Sequence, residues 1–317
     1  MKHKIALTLA ALSLFVSACG NDAATLTTDA VAQPVPPAVT GAGFPAQIQH
    51  DTGVTEVAAR PGRIAALSGT HIETLFAIGA GSQVVAGDLF SNYPPEAVES
   101  LELVDSFNLS VEAVIDLNPD LVVLSYDPGG AVAAFEAVGI PTLLFGTAGT
   151  LDDVYDQIIA VGRAAGFETQ ARSLVDEMSS AVAEIIATSS AGTSGVTFYH
   201  ESDPFGYYTP NSSSFIGGLY ALLGMVNIAD AAPDEFDSGF PALSAEFIVA
   251  SDPDIVYLAG FGETPETLAQ RDGWGTLTAL EAGSVVVLDY DTSSRWGPRV
   301  VDLLRAIAEG ATTMTDG

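Results

Sequence analysis

Aromatic side chains collect in the loops that follow predicted strands, where they could form a binding surface. The segments 68–71, 89–93, 126–130, 200–208, 261–263 and 289–296 contain Phe90, Tyr93, Tyr126, Phe205, Tyr207, Tyr208, Phe261, Tyr290 and Trp296. A core does not need aromatic rings in its loops, and a cleft lined by them suits a large, rigid and partly apolar ligand. Packing between the loops is the alternative role for these rings.

Arg295 is one of eight arginines, and it follows a predicted strand beside Trp296. A guanidinium at this place could hold a carboxylate, amide or phosphate group of a ligand. The alternative is an ion pair with Asp289 or Asp291 of the same loop. We expect Arg295 to contact a ligand and, like Tyr207, to face solvent in the open cleft.

His71 and His200 stand at the ends of predicted strands, one in each half of the chain. Together with Glu201 and a tyrosine, they could ligate haem iron or a bare metal ion. A free-metal site needs three or four convergent ligands, and a set of that size is not evident. Polar loop histidines are the preferred interpretation, with His71 kept as a ligand-binding candidate and no metal site expected.

Motifs of common enzymes are not found in the sequence. It contains no Gly-x-Ser-x-Gly elbow, no phosphate-binding loop and no His-Glu-x-x-His pair. Pairs of acidic residues carry no information in a chain with 40 of them. We therefore expect no enzymatic activity, with a surface adhesion module and a lipoprotein hydrolase as the alternatives from other classes.

The elements that would hold these residues are organised around a stretch that occurs twice. Residues 109–125 have the sequence LSVEAVIDLNPDLVVLS, and residues 243–259 have LSAEFIVASDPDIVYLA. In each copy a serine N-cap opens a short helix, with Glu112 or Glu246 in its first turn. Pro119 or Pro253 ends the helix, and the apolar run that follows predicts a strand buried on both faces. The repeat predicts two similar α/β lobes.

The rest of the chain alternates between strand and helix patterns. Further strands are expected at 46–50, 54–58, 63–68, 84–87, 142–145, 195–200 and 284–289, and helices at 73–78, 131–138, 152–165, 168–188, 213–223 and 300–309. The long helix at 168–188 should stop at the Ser-Ser-Ala-Gly of 189–192. The predicted fold class is α/β, with two lobes built on mainly parallel sheets and joined by a long bridging helix.

The N-terminal segment has the features of a lipoprotein signal. Basic residues precede an apolar run at 5–16, and the Val-Ser-Ala-Cys of 16–19 resembles a bacterial lipobox. We expect a signal peptide at 1–18, lipidation of Cys19, a flexible tether to residue 45, an N-terminal lobe at 46–150, bridging helices at 151–190 and a C-terminal lobe at 191–317. An ordinary buried cysteine is the alternative for Cys19. The expected location is the cell envelope, where a monomer anchored to the membrane faces the periplasm or the extracellular side.

The charge of the chain restricts its partners. Both lysines lie in the signal segment, which leaves eight arginines against 40 acidic residues. Such a balance argues against nucleic-acid binding and against docking on anionic lipid through charge. Solubility in a saline habitat is the preferred explanation of the acidity, and no nucleic-acid partner is expected.

From Arg63 to Glu309 the chain resembles the class III substrate-binding lipoproteins of bacterial ABC importers for iron–siderophores, haem and vitamin B12. The motifs that carry this resemblance are IAALS at 64–68, ETLFAIG at 73–79, NYPPEA at 92–97, NPDLV at 118–122, SFI at 214–216, NIA at 227–229 and WGPR at 296–299. The resemblance implies two rigid lobes with the ligand between them, and a permease dimer with its ATPase subunits as the partner. It also implies that Glu112 and Glu246 meet arginines of the two permease subunits.

The resemblance adds candidate contacts as well. Vitamin B12-binding members use aromatic residues at positions that match, or lie one residue from, Phe90, Phe107, Tyr126 and Phe240, and an arginine that matches Arg295. This chain has Phe240 in place of one tryptophan, and a serine beside Tyr126 in place of another. Phe240, like Tyr207 and Arg295, is expected to face solvent in the open cleft. The complete set of expected ligand contacts is His71, Phe90, Tyr93, Phe107, Tyr126, Phe205, Tyr207, Tyr208, Phe240, Arg295 and Trp296.

The nature of the ligand follows from the shortage of cations. A catecholate siderophore carries several negative charges and would require several basic residues, whereas Arg295 is the single candidate. A neutral or weakly charged metal chelate is therefore expected, with an iron–siderophore of the hydroxamate kind first and cobalamin next. Haem or a free metal ion is the alternative, and no resident cofactor is expected.

Overall fold

Strands and helices alternate along most of the chain in the computed structural model, which describes residues 43–260 and 262–313. The strands are β1 Ala46–His50, β2 Gly53–Val57, β3 Ile64–Leu67, β4 Val84–Asp88, β5 Glu102–Val104, β6 Leu121–Leu124, β7 Thr142–Leu144, β8 Thr197–Glu201, β9 Val226–Asn227, β10 Ile255–Leu258 and β11 Val285–Val287. The helices are α1 Gly69–Ala77, α2 Pro95–Ser100, α3 Val111–Asp116, α4 Ala131–Ala137, α5 Leu151–Ala165, α6 Glu168–Thr193, α7 Phe215–Leu222, α8 Ala245–Ser251, α9 Pro265–Ala269, α10 Thr278–Glu281, α11 Tyr290–Ser293 and α12 Val300–Thr313.

The first lobe is built on a five-stranded sheet with the order β5-β4-β3-β6-β7. All of its pairings are parallel, and β3 and β6 are buried along their whole length. Burial on both faces explains why these strands are continuous apolar runs instead of alternating ones. The antiparallel hairpin β1–β2 precedes this sheet, as predicted.

The second lobe is built on a four-stranded sheet with the order β11-β10-β8-β9, again with parallel pairings. Its strand β10 is buried throughout. The C-terminal ends of β8 and β10 lie side by side, because Glu201 pairs with Leu258. The two lobes with parallel sheets confirm the predicted fold class.

The repeated unit is present in both lobes. Ser110 accepts a hydrogen bond from the Ala113 N–H at the start of α3, and Ser244 accepts one from the Phe247 N–H at the start of α8. Each helix leads into a buried strand, β6 or β10. Glu112 and Glu246 occupy the first turns of the two helices, and both are exposed.

Two consecutive helices, α5 and α6, follow the first sheet and precede the second. Thr150 and Asp153 form a capping box at the start of α5, and Gly166 ends this helix with a positive φ of 79°. The prediction that α6 stops at 189–192 is wrong, since this helix continues to Thr193. The buried Thr193 hydroxyl donates to the Leu223 carbonyl 2.6 Å away, so packing against the second lobe extends the helix.

Part of the predicted domain organisation concerns residues that the structure does not describe. The predicted signal peptide, Cys19 and the tether up to residue 42 lie outside the described residues. The boundaries at 46–150, 151–190 and 191–317 stay a proposal for the division into lobes. Among the described helices, none combines the length and the hydropathy needed to cross a bilayer.

Candidate functional site

A cavity of about 450 Å³ opens beyond the C-terminal ends of β8 and β10. Binding sites of α/β proteins characteristically lie at this edge of a parallel sheet. The cavity is lined by Thr147, His200, Ser202, Ser214, Phe215, Ile216, Ser238, Phe240, Ala259, Tyr290, Ser293, Ser294, Arg295 and Trp296. Of the residues predicted to contact a ligand, it therefore brings together Phe240, Arg295 and Trp296.

The start of α7 forms one wall of the cavity through Ser214, Phe215 and Ile216. Ser214 caps this helix by accepting from the Gly217 N–H at 3.0 Å. A Cβ at Gly217 would lie 1.9 Å from the Asn211 carbonyl oxygen, so only glycine lets the preceding loop close onto the helix. Serine hydroxyls and aromatic rings thus share the wall, which suits a ligand with both polar and apolar parts.

His200 lies at the end of β8 and is completely buried, although it lines the cavity. Its Nδ1 is 2.8 Å from the Tyr220 hydroxyl, and its Nε2 has no hydrogen-bond partner among the described residues. Burial lowers the pKa of His200 to about 3, so the ring is neutral at physiological pH. The prediction of a polar loop histidine is wrong at this position, because the residue belongs to a buried strand.

Arg295 is held by acceptors from both lobes. Its Nη1 donates to Glu73 Oε1 at 2.6 Å, and its Nη2 donates to the Phe90 carbonyl at 2.8 Å and to Asp291 Oδ1 at 2.6 Å. The side chain of Arg295 is only 11% exposed and that of Glu73 only 1%. The expectation that Arg295 faces solvent is therefore wrong. The ion pair with Asp291, which was the alternative role, is present and is joined by the unanticipated Glu73.

Trp296 and Phe240 take different positions in the cavity. The Trp296 Nε1–H donates to Gln157 Oε1 of α5 at 3.1 Å, which ties the loop after β11 to the helix after the first sheet. Phe240 is 37% exposed and leaves part of its ring available for contact. The solvent-facing position expected for Phe240 agrees with this exposure.

Phe90, Phe107 and Tyr126 form an aromatic cluster on the first lobe. The Phe107 ring centroid lies 5.3 Å from that of Phe90 and 5.6 Å from that of Tyr126. The Tyr126 hydroxyl donates to the Ser106 carbonyl, and Phe90 and Phe107 are both exposed. Because the Phe90 carbonyl contacts Arg295, the cluster adjoins the cavity without lining it.

The other predicted contacts are dispersed. The Arg299 guanidinium lies over the Tyr93 ring, 4.4 Å from the ring centroid. Tyr93 also lines a smaller hollow together with Glu73. Phe205 is 94% exposed on a turn, and Tyr208 is half-exposed beside it. Tyr207 stacks on the buried Trp274 at 5.6 Å, so its expected solvent-facing position is wrong. The packing of this ring against the core could not be predicted from the sequence.

His71 is buried in α1 instead of a loop, which is a second departure from the polar loop interpretation. Neither ring nitrogen has a partner among the described residues, and the ring lies 5.9 Å from that of Phe145. Burial lowers the pKa of His71 to about 4. His71 does not line the cavity beyond β8 and β10, and Phe261 lies outside the described residues.

The Glu201 carboxylate forms an ion pair with Arg271. It accepts from Arg271 Nη2 at 2.8 Å, and the same nitrogen donates to Glu263 at 2.8 Å. This carboxylate is therefore not available to a metal ion together with His200. Within the ranges 43–260 and 262–313, no group of three or more histidine, cysteine or acidic residues is arranged to hold a metal.

Several residues of the site escaped the sequence analysis. Glu73, Ser202, Ser293 and Ser294 belong to the cavity or its network, and Phe236 is 88% exposed on the loop before Phe240. Serines are too common to stand out in a sequence, whereas the Ser-Phe-Ile of 214–216 could have been recognised as an N-cap beside two apolar side chains. The sequence gives no sign that Glu73 forms an ion pair, because its partners are more than 200 residues away.

Comparison with known proteins agrees with this architecture. The periplasmic binding protein family matches residues 64–292. An uncharacterized ABC transporter substrate-binding lipoprotein of Bacillus subtilis, YvrC, is 30% identical over 78% of this chain and 79% of its own length. A cobalamin-binding protein of Halobacterium salinarum is 27% identical over 78% of this chain and 69% of its own length. The haem-binding protein RhuT of Roseiflexus, in apo form, has the same fold with a TM-score of 0.69 at 24% identity, covering 80% of this chain and 98% of that one.

The family match covers most of the chain, and the similarity to YvrC extends over 78% of it. Proteins of this family are transport components and not enzymes, which confirms the expected lack of catalytic activity. The two lobes, the parallel sheets and the cavity at their strand ends are the architecture of a substrate receptor. The chain belongs to the periplasmic binding protein family, as the substrate-binding component of an ABC transporter.

Proposed function

We propose that this receptor binds a metal chelate without net negative charge, with a corrinoid as the first candidate and a ferric hydroxamate as the second. The observation that carries the proposal is the lining of the cavity, where hydroxyl groups and aromatic rings surround the one arginine among the described lining residues, and this arginine already has carboxylate partners. Donor groups of a neutral chelate would find acceptors at the hydroxyl oxygens of Ser202, Ser214 and Ser293, although the hydrogens of Ser214 and Ser293 already bond backbone carbonyls. The apolar face of such a ligand would contact Phe240 and Trp296.

The charge of the site argues against haem and catecholate siderophores. Both carry carboxylate or phenolate charges that need cations, and a buried anion without a partner is costly. Arg271 lies near the C-terminal end of β8, but its guanidinium is already paired with Glu201 and Glu263. The cobalamin-binding relative of Halobacterium salinarum supports the placement of a corrinoid before a hydroxamate siderophore.

Binding to a ligand panel tests this proposal. The purified protein without its first 42 residues would be titrated calorimetrically with cyanocobalamin, a ferric trihydroxamate and haem. We expect saturable one-to-one binding of one of the first two, together with a higher melting temperature, since a ligand that binds only the native state stabilises it by about 2.7 kcal/mol at a concentration 100 times its Kd. If none of the three binds or raises the melting temperature, the proposed ligand class is wrong.

We also propose that Glu112 and Glu246 dock the receptor on a two-fold permease dimer. Both side chains are exposed in the first turns of equivalent helices, one on each lobe. Two equivalent permease subunits require two equivalent anchors, which the repeat supplies. Neutralising the positive end of each helix dipole is the alternative role, with a contribution of about 0.3–1 kcal/mol.

A lipid on Cys19 would keep the receptor, as a monomer, at the membrane that holds its permease. The lipobox-like Val-Ser-Ala-Cys and the tether that follows support this proposal. Cell fractionation of the wild type and a Cys19→Ser variant tests the anchor. The wild type should partition with membranes and the variant should not, whereas equal partitioning would exclude a lipid at this cysteine.

A further inference from the structure

Arg295 lines the ligand cavity while its guanidinium points into a set of acceptors on the other side. Glu73 and Asp291 each approach it to 2.6 Å. The amide oxygen of Asn92 lies 3.2 Å from Nη1, and the Phe90 carbonyl 2.8 Å from Nη2. Both terminal nitrogens are therefore engaged by two acceptors each, and neither has a hydrogen left for a ligand.

The acceptors bring more negative than positive charge to this wall. Arg299 shares Glu73, with its Nη2 2.7 Å from Oε1, and its Nη1 lies 3.8 Å from Asp289. Two guanidinium groups thus face the three carboxylates of Glu73, Asp289 and Asp291. The cluster behind the cavity wall therefore has one formal negative charge in excess, whereas Arg295 is the single charged residue among the described residues that line the cavity itself.

We infer that Asp291, together with Glu73, masks Arg295 and thereby makes the receptor reject anionic chelates. This inference rests on the proposed function and names the residues that set its selectivity. An anionic group that reached Arg295 would have to displace Asp291 or lie beside an excess negative charge, and like charges at close range disfavour binding. A neutral amide or hydroxyl group meets no such penalty and can bind to the serine hydroxyls.

Asp291 is the member of the network that can be tested without unfolding the protein. Glu73 is almost fully buried and holds two arginines, whereas the Asp291 side chain is 20% exposed. An Asp291→Asn variant keeps the shape of the side chain and removes its charge. The matched control is Asp302→Asn, which makes the same change in formal charge on a carboxylate that is 59% exposed and pairs with Arg305, outside the Arg295 cluster.

The experiment compares matched ligands that differ by one negative charge. One pair is cyanocobalamin and its monocarboxylic acid, and the other is N-acetyl and N-succinyl ferrioxamine B. We expect wild-type protein to bind the neutral member of the accepted pair about tenfold more tightly or better. Asp291→Asn should reduce this preference about threefold or more, while Asp302→Asn should leave it within about twofold.

The outcomes separate this inference from the proposed function. If neither neutral ligand binds the wild type, the proposed function is wrong. If a neutral ligand binds and its anionic partner binds equally well, the proposed function stands and the masking of Arg295 is refuted. Equal loss of selectivity in the two variants would also refute it, because the overall charge of the protein and not the contact with Arg295 would then exclude anions.

Discussion

Two histidines are held inside the protein in their neutral form. Burial lowers the pKa of His71 to about 4 and that of His200 to about 3, both from an ordinary value of 6.5. The unfolded chain therefore binds protons below pH 6.5 that the native state does not. The stability associated with these groups is complete above pH 6.5 and is lost as the pH falls from 6.5 to about 4 for His71 and to about 3 for His200.

A His71→Leu variant tests this linkage. Neither nitrogen of His71 has a hydrogen-bond partner among the described residues, so an apolar side chain of similar volume loses no polar contact that the structure describes. We expect the wild type to lose about 1 kcal/mol per pH unit more than the variant between pH 6 and pH 4. Urea unfolding curves at several pH values would measure the difference. Parallel stability profiles would show that His71 titrates normally in the native state.

Glu73 is the residue on which the contact between the first lobe and the C-terminal segment depends. It is 1% exposed and accepts from the guanidinium groups of Arg295 and Arg299. Removing one partner of a buried ion pair is far more costly than the pair itself is stabilising, because the remaining charge stays desolvated.

We therefore expect Glu73→Gln to lower the free energy of unfolding by about 3 kcal/mol, as measured in urea without ligand. Asp302→Asn is the control, because its pair with Arg305 is exposed on both sides and should contribute less than about 1 kcal/mol. A Glu73→Gln variant as stable as the control would mean that the arginines are adequately solvated without the carboxylate.

At the scale of elements, the helix–strand unit determines where the two proposed docking residues stand. Ser110 and Ser244 cap α3 and α8, and each cap leaves the glutamate two residues later in the first turn and exposed. Charge pairs across an interface chiefly set orientation and association rate. Their loss should affect transport and leave ligand binding intact.

The double variant Glu112→Arg/Glu246→Arg should bind its chelate with unchanged affinity but fail to stimulate the ATPase activity of its permease in proteoliposomes. The control is Glu177→Arg/Glu184→Arg, which makes the same change in charge on two exposed residues of α6. If the docking variant stimulated the ATPase activity of the permease fully, the two glutamates would only stabilise the positive ends of their helices.

The elements with strong sequence signals were the ones predicted correctly. Buried parallel strands such as β3, β6 and β10 are uninterrupted apolar runs, and the capped repeat fixes their neighbouring helices. The short elements β5, β9 and α9 to α11 were missed, because a few residues carry no periodicity. The end of α6 was misplaced, since contacts with the second lobe override the local tendency of serine and glycine to end a helix.

For the whole molecule, the sequence predicted the receptor architecture and the edge of the sheet at which the cavity lies. It placed Arg295 and Trp296 in one site, because strand ends of a parallel sheet converge, and the family resemblance added Phe240. It did not reveal that Glu73 reaches Arg295 across the lobes, or that Tyr207 packs on Trp274. Such contacts depend on how distant segments meet, which no local pattern encodes.

The most direct test of this account is the affinity of a Phe240→Ala variant for the chelate that the wild type accepts. Phe240 lines the cavity and is 37% exposed, so its loss should weaken binding by about 1–3 kcal/mol while the melting temperature of the ligand-free protein hardly changes. Val54→Ala, on the exposed face of the hairpin, is the control and should bind as the wild type does. Calorimetric titration that gave the Phe240→Ala variant wild-type affinity would place the ligand elsewhere and contradict the account.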